Sequence, residues 1–151
     1  MNIKKASRTV IVDENNFIAL IDVRDGEYYK IPGGGIEAGE TEEDAAKREA
    51  LEEAGCEISI IKKIGEQQFA DHSQKYGDTI HHSVCFLARK IGEKKDTNFD
   101  EWERSNNMKL IWVSFPQAIE LFSKVNTPDF FGSEINQRDF GFVLKAKEML
   151  T

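Results

Sequence analysis

The sequence contains few of the features that mark disulfide-rich, membrane-spanning or nucleic-acid-coating proteins. Its two cysteines, Cys56 and Cys85, do not have the spacing of a metal-binding motif. No apolar run is long enough to span a membrane, and no signal peptide is recognisable. The net charge of −7 argues against a protein that coats nucleic acid polymers or anionic membranes. We therefore expect a reduced, soluble, cytoplasmic protein.

What the sequence does contain is ordinary for one globular domain. Its 151 residues suffice for a single core, and 40% of them are hydrophobic. No internal repeat, low-complexity tract or linker divides the chain, so we expect one domain over residues 1–151. The acidic balance does not exclude a nucleotide substrate, because bound divalent cations can screen phosphate groups.

The most unusual stretch runs from Pro32 to Cys56, where three consecutive glycines precede an acidic helix. Thr41 is a good helix N-cap, and Asp44 three residues later resembles the second member of a capping box. Gly55 is a good C-terminal stop, because helices commonly end on a glycine in the left-handed conformation. These residues predict a helix over about residues 42–54.

Three glutamates share one face of this predicted helix. Glu49, Glu52 and Glu53 fall within an arc of about 100°, because each helical residue turns by about 100°. Like charges at this spacing repel each other, so the arrangement is unfavourable unless a cation lies beside it. Carboxylate oxygens suit Mg²⁺ or Mn²⁺. The alternative is a solvated acidic face, which we expect for Glu42 and Glu43 in the first turn.

This stretch resembles the Nudix box of MutT-like Nudix hydrolases. The matching positions are Gly34, Glu40, Arg48, Glu49, Ala50, Glu52, Glu53, Gly55 and Cys56. The resemblance implies an α/β protein with a Nudix-type α/β/α sandwich around a mixed central sheet. It also implies a metal-dependent pyrophosphohydrolase, which cleaves a phosphoanhydride bond of a nucleoside triphosphate or another nucleoside diphosphate-linked substrate.

The resemblance implies a metal site and catalytic residues within the box. Glu49, Glu52 and Glu53 are expected to be catalytic and to bind Mg²⁺, or Mn²⁺ in its place, as a coupled set. The backbone carbonyl of Gly33 is expected to be a further ligand. The bare backbone of residues 33–35 would let the loop approach metal or phosphate closely.

The resemblance also implies roles around the metal site. Glu40 and Arg48 are expected to form an ion pair that fixes the glycine loop. Gly34 is expected at the bound substrate and Gly55 in a structural role. Arg24, on an early strand, is a candidate substrate contact, although a solvated strand end is an equal alternative.

The resemblance also implies a further acidic metal ligand from the polar loop over residues 92–107. Loops of this length are often functional. Glu101 and Glu103 are the two candidates, and the sequence does not choose between them. Trp102 between them could cover the loop against the core.

The remaining sequence predicts the strands and helices of such a sandwich. Predicted strands cover residues 9–12, 17–23, 28–31, 58–69, 79–90 and 110–113. Two further helices are predicted, one capped by Ser114 and one running from residue 134 or 137 to residue 150. Predicted loops cover residues 71–78, 92–107 and 126–133. The last loop carries Phe130 and Phe131, which could stack on a base or close over a pocket but which we expect to pack on the core.

Several individual side chains on these elements have expected environments. Val143 and Leu144 are expected to face the core from the last helix. Lys30 is expected at a solvated strand end. His81 and His82 are neighbours in a strand and point in opposite directions, so we expect polar strand residues rather than zinc ligands.

Two alternative functions remain open. The chain could be a nucleotide-sugar or dinucleoside polyphosphate hydrolase, although no secondary motif for either follows the box. It could also be a nucleotide-sensing module without catalysis, but such a module would be expected to lose box carboxylates that this chain keeps. A homodimer is possible, and a small-molecule nucleotide is the expected partner.

Overall fold

One mixed sheet forms the centre of the fold, and helices cover both of its faces. The computed structural model describes residues 2–73 and 77–151, so part of the predicted 71–78 loop (residues 74–76) lies outside the described residues. The strands within these ranges are β1 (Asn2–Val12), β2 (Phe17–Val23), β3 (Tyr28–Lys30), β4 (Gly33–Gly35), β5 (Glu57–Asp71), β6 (Thr79–Ile91) and β7 (Lys109–Ser114). The helices are α1 (Glu42–Ala54), α2 (Glu101–Ser105), α3 (Phe115–Ser123) and α4 (Phe130–Met149).

Strand β1 connects the two halves of the sheet. It runs parallel to β6 along its whole length. It also pairs antiparallel with β4 and, near its C-terminal end, with β2. Strand β2 continues the sheet through β3 and β7, while β5 pairs with β6 as an outer strand. The predicted mixed sheet and α/β fold class are therefore confirmed.

Each face of the sheet buries its own apolar core. On one face, the small side chains Ala46, Ala50 and Ala54 of α1 pack closely against β1 and β6. On the other face, α3 and α4 contribute Phe122 and Val143. The alanine stripe lets α1 lie close to the sheet, and this places the helix's acidic residues beside β4.

The boundaries of α1 agree with the prediction because both ends carry strong local signals. The Thr41 hydroxyl accepts a hydrogen bond from the backbone N–H of Asp44 at 3.0 Å. Gly55 ends the helix in the left-handed conformation, with φ at 62°. A Cβ on Gly55 would lie 2.0 Å from the carbonyl oxygen of Lys95, so the residue also permits a close backbone contact.

Two predicted loops contain helical structure instead. Within the predicted 92–107 loop, Asp100 and Glu103 form a capping box that starts α2. Helix α4 begins at Phe130 rather than beyond residue 133, because the Asp129 side chain caps the N–H of Phe131. The first turn of α4 therefore carries both phenylalanines.

The prediction that Leu144 faces the core is wrong, whereas the prediction for Val143 is confirmed. Leu144 is 41% exposed and Val143 is fully buried. Within the described residues, no helix is long and apolar enough to cross a membrane.

Candidate functional site

A cleft of about 340 Å³ opens beside α1 and the glycine strand β4. One side is acidic, another is basic, and aromatic side chains lie around them. The lining residues include Arg8, Lys30, Gly33, Gly34, Glu49, Glu52, Glu53, His81, Trp102, Glu103, Phe131 and Arg138. The cleft thus brings together the three box glutamates and one of the two predicted loop acids.

The glycines at the cleft form the short strand β4, and their missing side chains permit two close approaches. A Cβ on Gly33 would lie 2.5 Å from the carbonyl oxygen of Ser7 on β1. A Cβ on Gly34 would lie 2.4 Å from a carboxylate oxygen of Glu49. The backbone N–H of Gly33 also donates a 2.9 Å hydrogen bond to Glu53. The glycine strand and the box helix are therefore in direct contact.

Glu53 lies at the buried end of the acidic cluster and is hydrogen bonded to Glu103. Burial opposes its ionisation, but Lys30, Glu103 and the Gly33 N–H outweigh burial and lower the pKa of Glu53. Burial, and then the hydrogen bond and charge of Glu53, raise the pKa of Glu103 to about 8. At neutral pH, Glu103 therefore holds the proton that it donates to Glu53.

Arg48 organises the outer part of the cluster. Its guanidinium donates to both carboxylate oxygens of Glu40, at 2.8 and 3.0 Å, and to the carbonyl of Gly35 at 2.9 Å. It also donates to Glu49 at 2.8 Å and lies 3.6 Å from Glu52. Its hydrogen bonds lower the pKa of Glu40 to about 2. Arg48 thereby links the glycine strand to the acidic face of α1.

Glu49 and Glu52 differ in exposure. Glu49 is buried, and burial followed by repulsion from Glu53 raises the pKa of Glu49 despite the nearby Arg48. The Glu52 side chain is 41% exposed at the mouth of the cleft. Glu49 is therefore held in place, whereas the more exposed Glu52 has room to adjust to a ligand.

The chemistry of these donors fits a hard divalent cation such as Mg²⁺. Four glutamates and the Gly33 backbone line one cleft, and such cations prefer oxygen ligands. In the described part of the chain, no three acidic, histidine or cysteine side chains already surround one point as an assembled metal site. Instead, Glu53 is paired with Glu103, and Glu49 with Arg48. A bound cation would be held by these carboxylate oxygens and would compensate their negative charge.

Lys30 corrects one expectation from the sequence. The sequence predicts that Lys30 lies in solvent at the end of a strand. Instead it is only 7% exposed, and its Nζ lies 3.5 Å from a carboxylate oxygen of Glu53. Its burial arises because β3 pairs with β2 under the cleft. The amine partly balances the charge of the buried acidic cluster.

Two predicted residues lie away from the cleft lining. Glu101 is exposed at the start of α2. The Arg24 guanidinium pairs with Glu27 and donates to Asn106 at 2.6 Å, and it borders a neighbouring cavity instead. Arg24 is therefore engaged by protein partners in this structure.

Sequence reasoning missed two arginines, Arg8 and Arg138, which both line the cleft. They lie on β1 and α4, almost at opposite ends of the chain. No local spacing relates them, so only the fold brings them together. The pairing of Arg138 with the adjacent Asp139 is evident only from the structure.

Aromatic side chains flank the cleft. His81 stacks on Phe69 with ring centroids 5.0 Å apart, and Phe131 packs edge-on to His81 at 5.2 Å. The neighbouring His82 contacts Glu66 instead, at 2.8 Å. Trp102 is 44% exposed, so it does not simply cover its loop against the core. The cleft is therefore bordered by an aromatic cluster.

Comparison with known proteins gives a family match over most of the chain. The NUDIX domain family model matches residues 4–130. A Nudix hydrolase 4 from Arabidopsis thaliana is 30% identical over 104 residues, which cover 69% of this chain and 46% of that protein. An RNA pyrophosphohydrolase from Orientia tsutsugamushi (strain Boryong) is 28% identical over 116 residues, covering 66% of this chain and 71% of that protein. The chain thus spans less than half the length of the Arabidopsis relative.

Solved structures agree with the fold. The C. elegans Ap4A hydrolase has a TM-score of 0.63 at 18% identity, with 99% of each chain covered. The MutT protein from Methanosarcina mazei Go1 also has a TM-score of 0.63, at 15% identity, with 99% of this chain and 96% of that chain covered. At these identities the similarity is one of fold.

Proposed function

The chain belongs to the Nudix hydrolase family, and on that premise we propose that it is a divalent-metal-dependent pyrophosphohydrolase. It cleaves a phosphoanhydride bond of a nucleoside triphosphate or of another nucleoside diphosphate-linked compound. One observation carries the proposal: Glu49, Glu52 and Glu53 of α1 meet Glu103 of α2 in a single cleft beside the glycine strand.

The metal-binding residues of the proposal are the four glutamates and the Gly33 carbonyl. Mg²⁺ is the proposed metal, and Mn²⁺ is a suitable substitute because both prefer oxygen ligands. When bound, such a cation neutralises charge on phosphate oxygens and makes water a better nucleophile.

The chain's own residues position the reacting groups. Arg48 holds Glu49 through a 2.8 Å hydrogen bond and holds the glycine strand through Gly35. A pKa raised to about 8 lets Glu103 exchange a proton near neutral pH, and burial also raises the pKa of Glu49 above its ordinary value. Because clustered carboxylates titrate jointly, we assign the general-base role to the cluster rather than to one glutamate.

A nucleotide is the proposed substrate because the cleft joins charged and aromatic surfaces. Trp102 and Phe131 contribute aromatic side chains to the cleft lining, and a base is the part of a nucleotide that packs against such side chains. The volume suits a small molecule, and the net charge of −7 disfavours a nucleic acid polymer. One domain over residues 1–151 and a cytoplasmic location belong to the same proposal, and a homodimer stays a prediction from the sequence.

A product survey tests this function. The intact chain is incubated with Mg²⁺ and nucleoside triphosphates, nucleoside diphosphate sugars or dinucleoside polyphosphates, and products are identified by mass spectrometry. Glu53→Gln should lose turnover, whereas Glu43→Gln, an exposed change on the same helix, should keep it. Absence of turnover by the intact chain on every class would contradict the proposal.

A further inference from the structure

Arg8 presents a positive charge in the cleft and, within the described part of the chain, is held there only by a long hydrogen bond. Its Nε donates to the Ser83 hydroxyl at a long 3.4 Å. Among the described residues, no carboxylate lies within 4.0 Å of its guanidinium. A guanidinium has five N–H donors, so most of the donors of Arg8 remain available to a ligand.

Arg138 supplies a second charge at the same cleft and is held rigidly. Its guanidinium donates to both oxygens of Asp139, at 2.8 and 3.3 Å, and the residue is only 8% exposed. Asp139 also accepts a 3.0 Å hydrogen bond from the backbone N–H of Ile31. Helix α4 is therefore tied to the chain segment that leads into the glycine strand.

The two arginines repel each other across the cleft. Burial, followed by the charge of Arg138, lowers the pKa of Arg8 to about 10, although Asp139, Glu53 and Glu49 act in the opposite direction. The group therefore stays charged at neutral pH. Two like charges in one partly buried cleft cost free energy unless an anion lies between them. Guanidinium groups bind phosphate oxygens with charge-assisted hydrogen bonds, often in pairs.

The position of Arg8 places such an anion next to the acidic cluster. Arg8 lies directly opposite Gly33 in the β1–β4 pairing, and Gly33 hydrogen bonds to Glu53. The Cα atoms of opposed residues in antiparallel strands are about 5 Å apart. Two neighbouring phosphate groups of one polyphosphate chain could therefore contact the glutamate side and the arginine side of the cleft together.

We propose that Arg8 and Arg138 form a phosphate subsite separate from the carboxylates. The subsite binds a phosphate group beyond the two that flank the cleaved bond. It makes the protein prefer nucleotides with three or more phosphates over nucleoside diphosphate sugars, whose corresponding group is uncharged. The substrate preference, but not the anion binding, rests on the proposed hydrolase function.

Anion binding is measured first, without divalent cations. Inorganic tripolyphosphate is titrated into the protein in EDTA by calorimetry. Arg8→Gln should weaken binding by about 10- to 100-fold, the effect expected from losing a charge-assisted hydrogen bond. Arg89→Gln removes an equal charge from an exposed position of β6 and should leave affinity unchanged. Equal affinity in the intact chain and Arg8→Gln would overturn the subsite.

Turnover then tests the substrate preference. The ratio of kcat/KM for a nucleoside triphosphate to kcat/KM for a nucleoside diphosphate sugar should fall about tenfold or more in Arg8→Gln. Arg138→Lys, which keeps a charge for Asp139, should also lower this ratio. Thermal unfolding of each variant reports whether it is folded. An unchanged ratio in both folded variants would overturn the preference, whereas anion binding without turnover would contradict only the hydrolase function.

Discussion

Glu103 donates a hydrogen bond to Glu53, so two acidic side chains from separate helices share one proton. Burial and the neighbouring Glu53 raise the pKa of Glu103 to about 8. The resulting pair keeps the buried cluster from carrying its full negative charge.

This pair makes stability depend on pH in a defined window. The Glu103 pKa is raised from 4.5 to about 8, so the folded chain retains a proton that the unfolded chain releases. The free energy of unfolding should therefore fall as pH rises from about 4.5 to about 8. Glu103→Gln should remove this part of the slope. Urea denaturation in EDTA between pH 5 and pH 9 measures the free energy of unfolding of the intact chain and of Glu103→Gln. Parallel pH profiles of the two proteins would contradict a raised pKa of Glu103.

Glu103 and Glu101 should differ as metal ligands. Glu103 lines the cleft beside Glu53, whereas Glu101 is exposed on the same short helix. Glu103→Gln should weaken Mn²⁺ binding by about tenfold or more, because it removes a charged oxygen donor. Glu101→Gln is the matched control and should bind as the intact chain does. Titration calorimetry with Mn²⁺ measures both. Equal weakening by the two changes would show that general charge, not position, decides affinity.

Gly55 should be far less replaceable than another glycine of similar backbone conformation. Gly55 and Gly92 have φ values of 62° and 70°, but only a Cβ on Gly55 would meet the Lys95 carbonyl. Gly92→Ala should lower the free energy of unfolding by about 1 kcal/mol, the strain of a left-handed alanine. Gly55→Ala should lower it by about 3 kcal/mol, because the clash adds to that strain. Urea denaturation compares the two, and equal losses would contradict the packing argument.

Local signals explain the parts of the fold that the sequence predicted well. Thr41 and Gly55 fix both ends of α1, because a cap and a left-handed glycine act through their immediate neighbours. Helical spacing likewise predicted that Glu49 and Glu53 share a face. The capping pair Asp100 and Glu103 is an equally local signal, so α2 could have been predicted from it.

The remaining features depend on contacts between distant segments. Lys30 is buried because strand pairing and α1 enclose it, and its own neighbours in sequence do not reveal this. Arg8 and Arg138 meet only because β1 and α4 border the same cleft. Glu103 is distinguished from Glu101 by its direction on a short helix, which composition alone cannot supply.

The Mg²⁺ dependence of hydrolysis tests the central claim most directly. The initial rate of nucleoside triphosphate hydrolysis is measured against Mg²⁺ concentration for the intact chain, Glu53→Gln and the exposed control Glu43→Gln. The intact chain and Glu43→Gln should show the same saturable Mg²⁺ dependence, and Glu53→Gln should lose about 100-fold or more of the rate. A rate that is insensitive to EDTA, or that is equal in all three proteins, would contradict a metal-dependent reaction at the glutamate cluster.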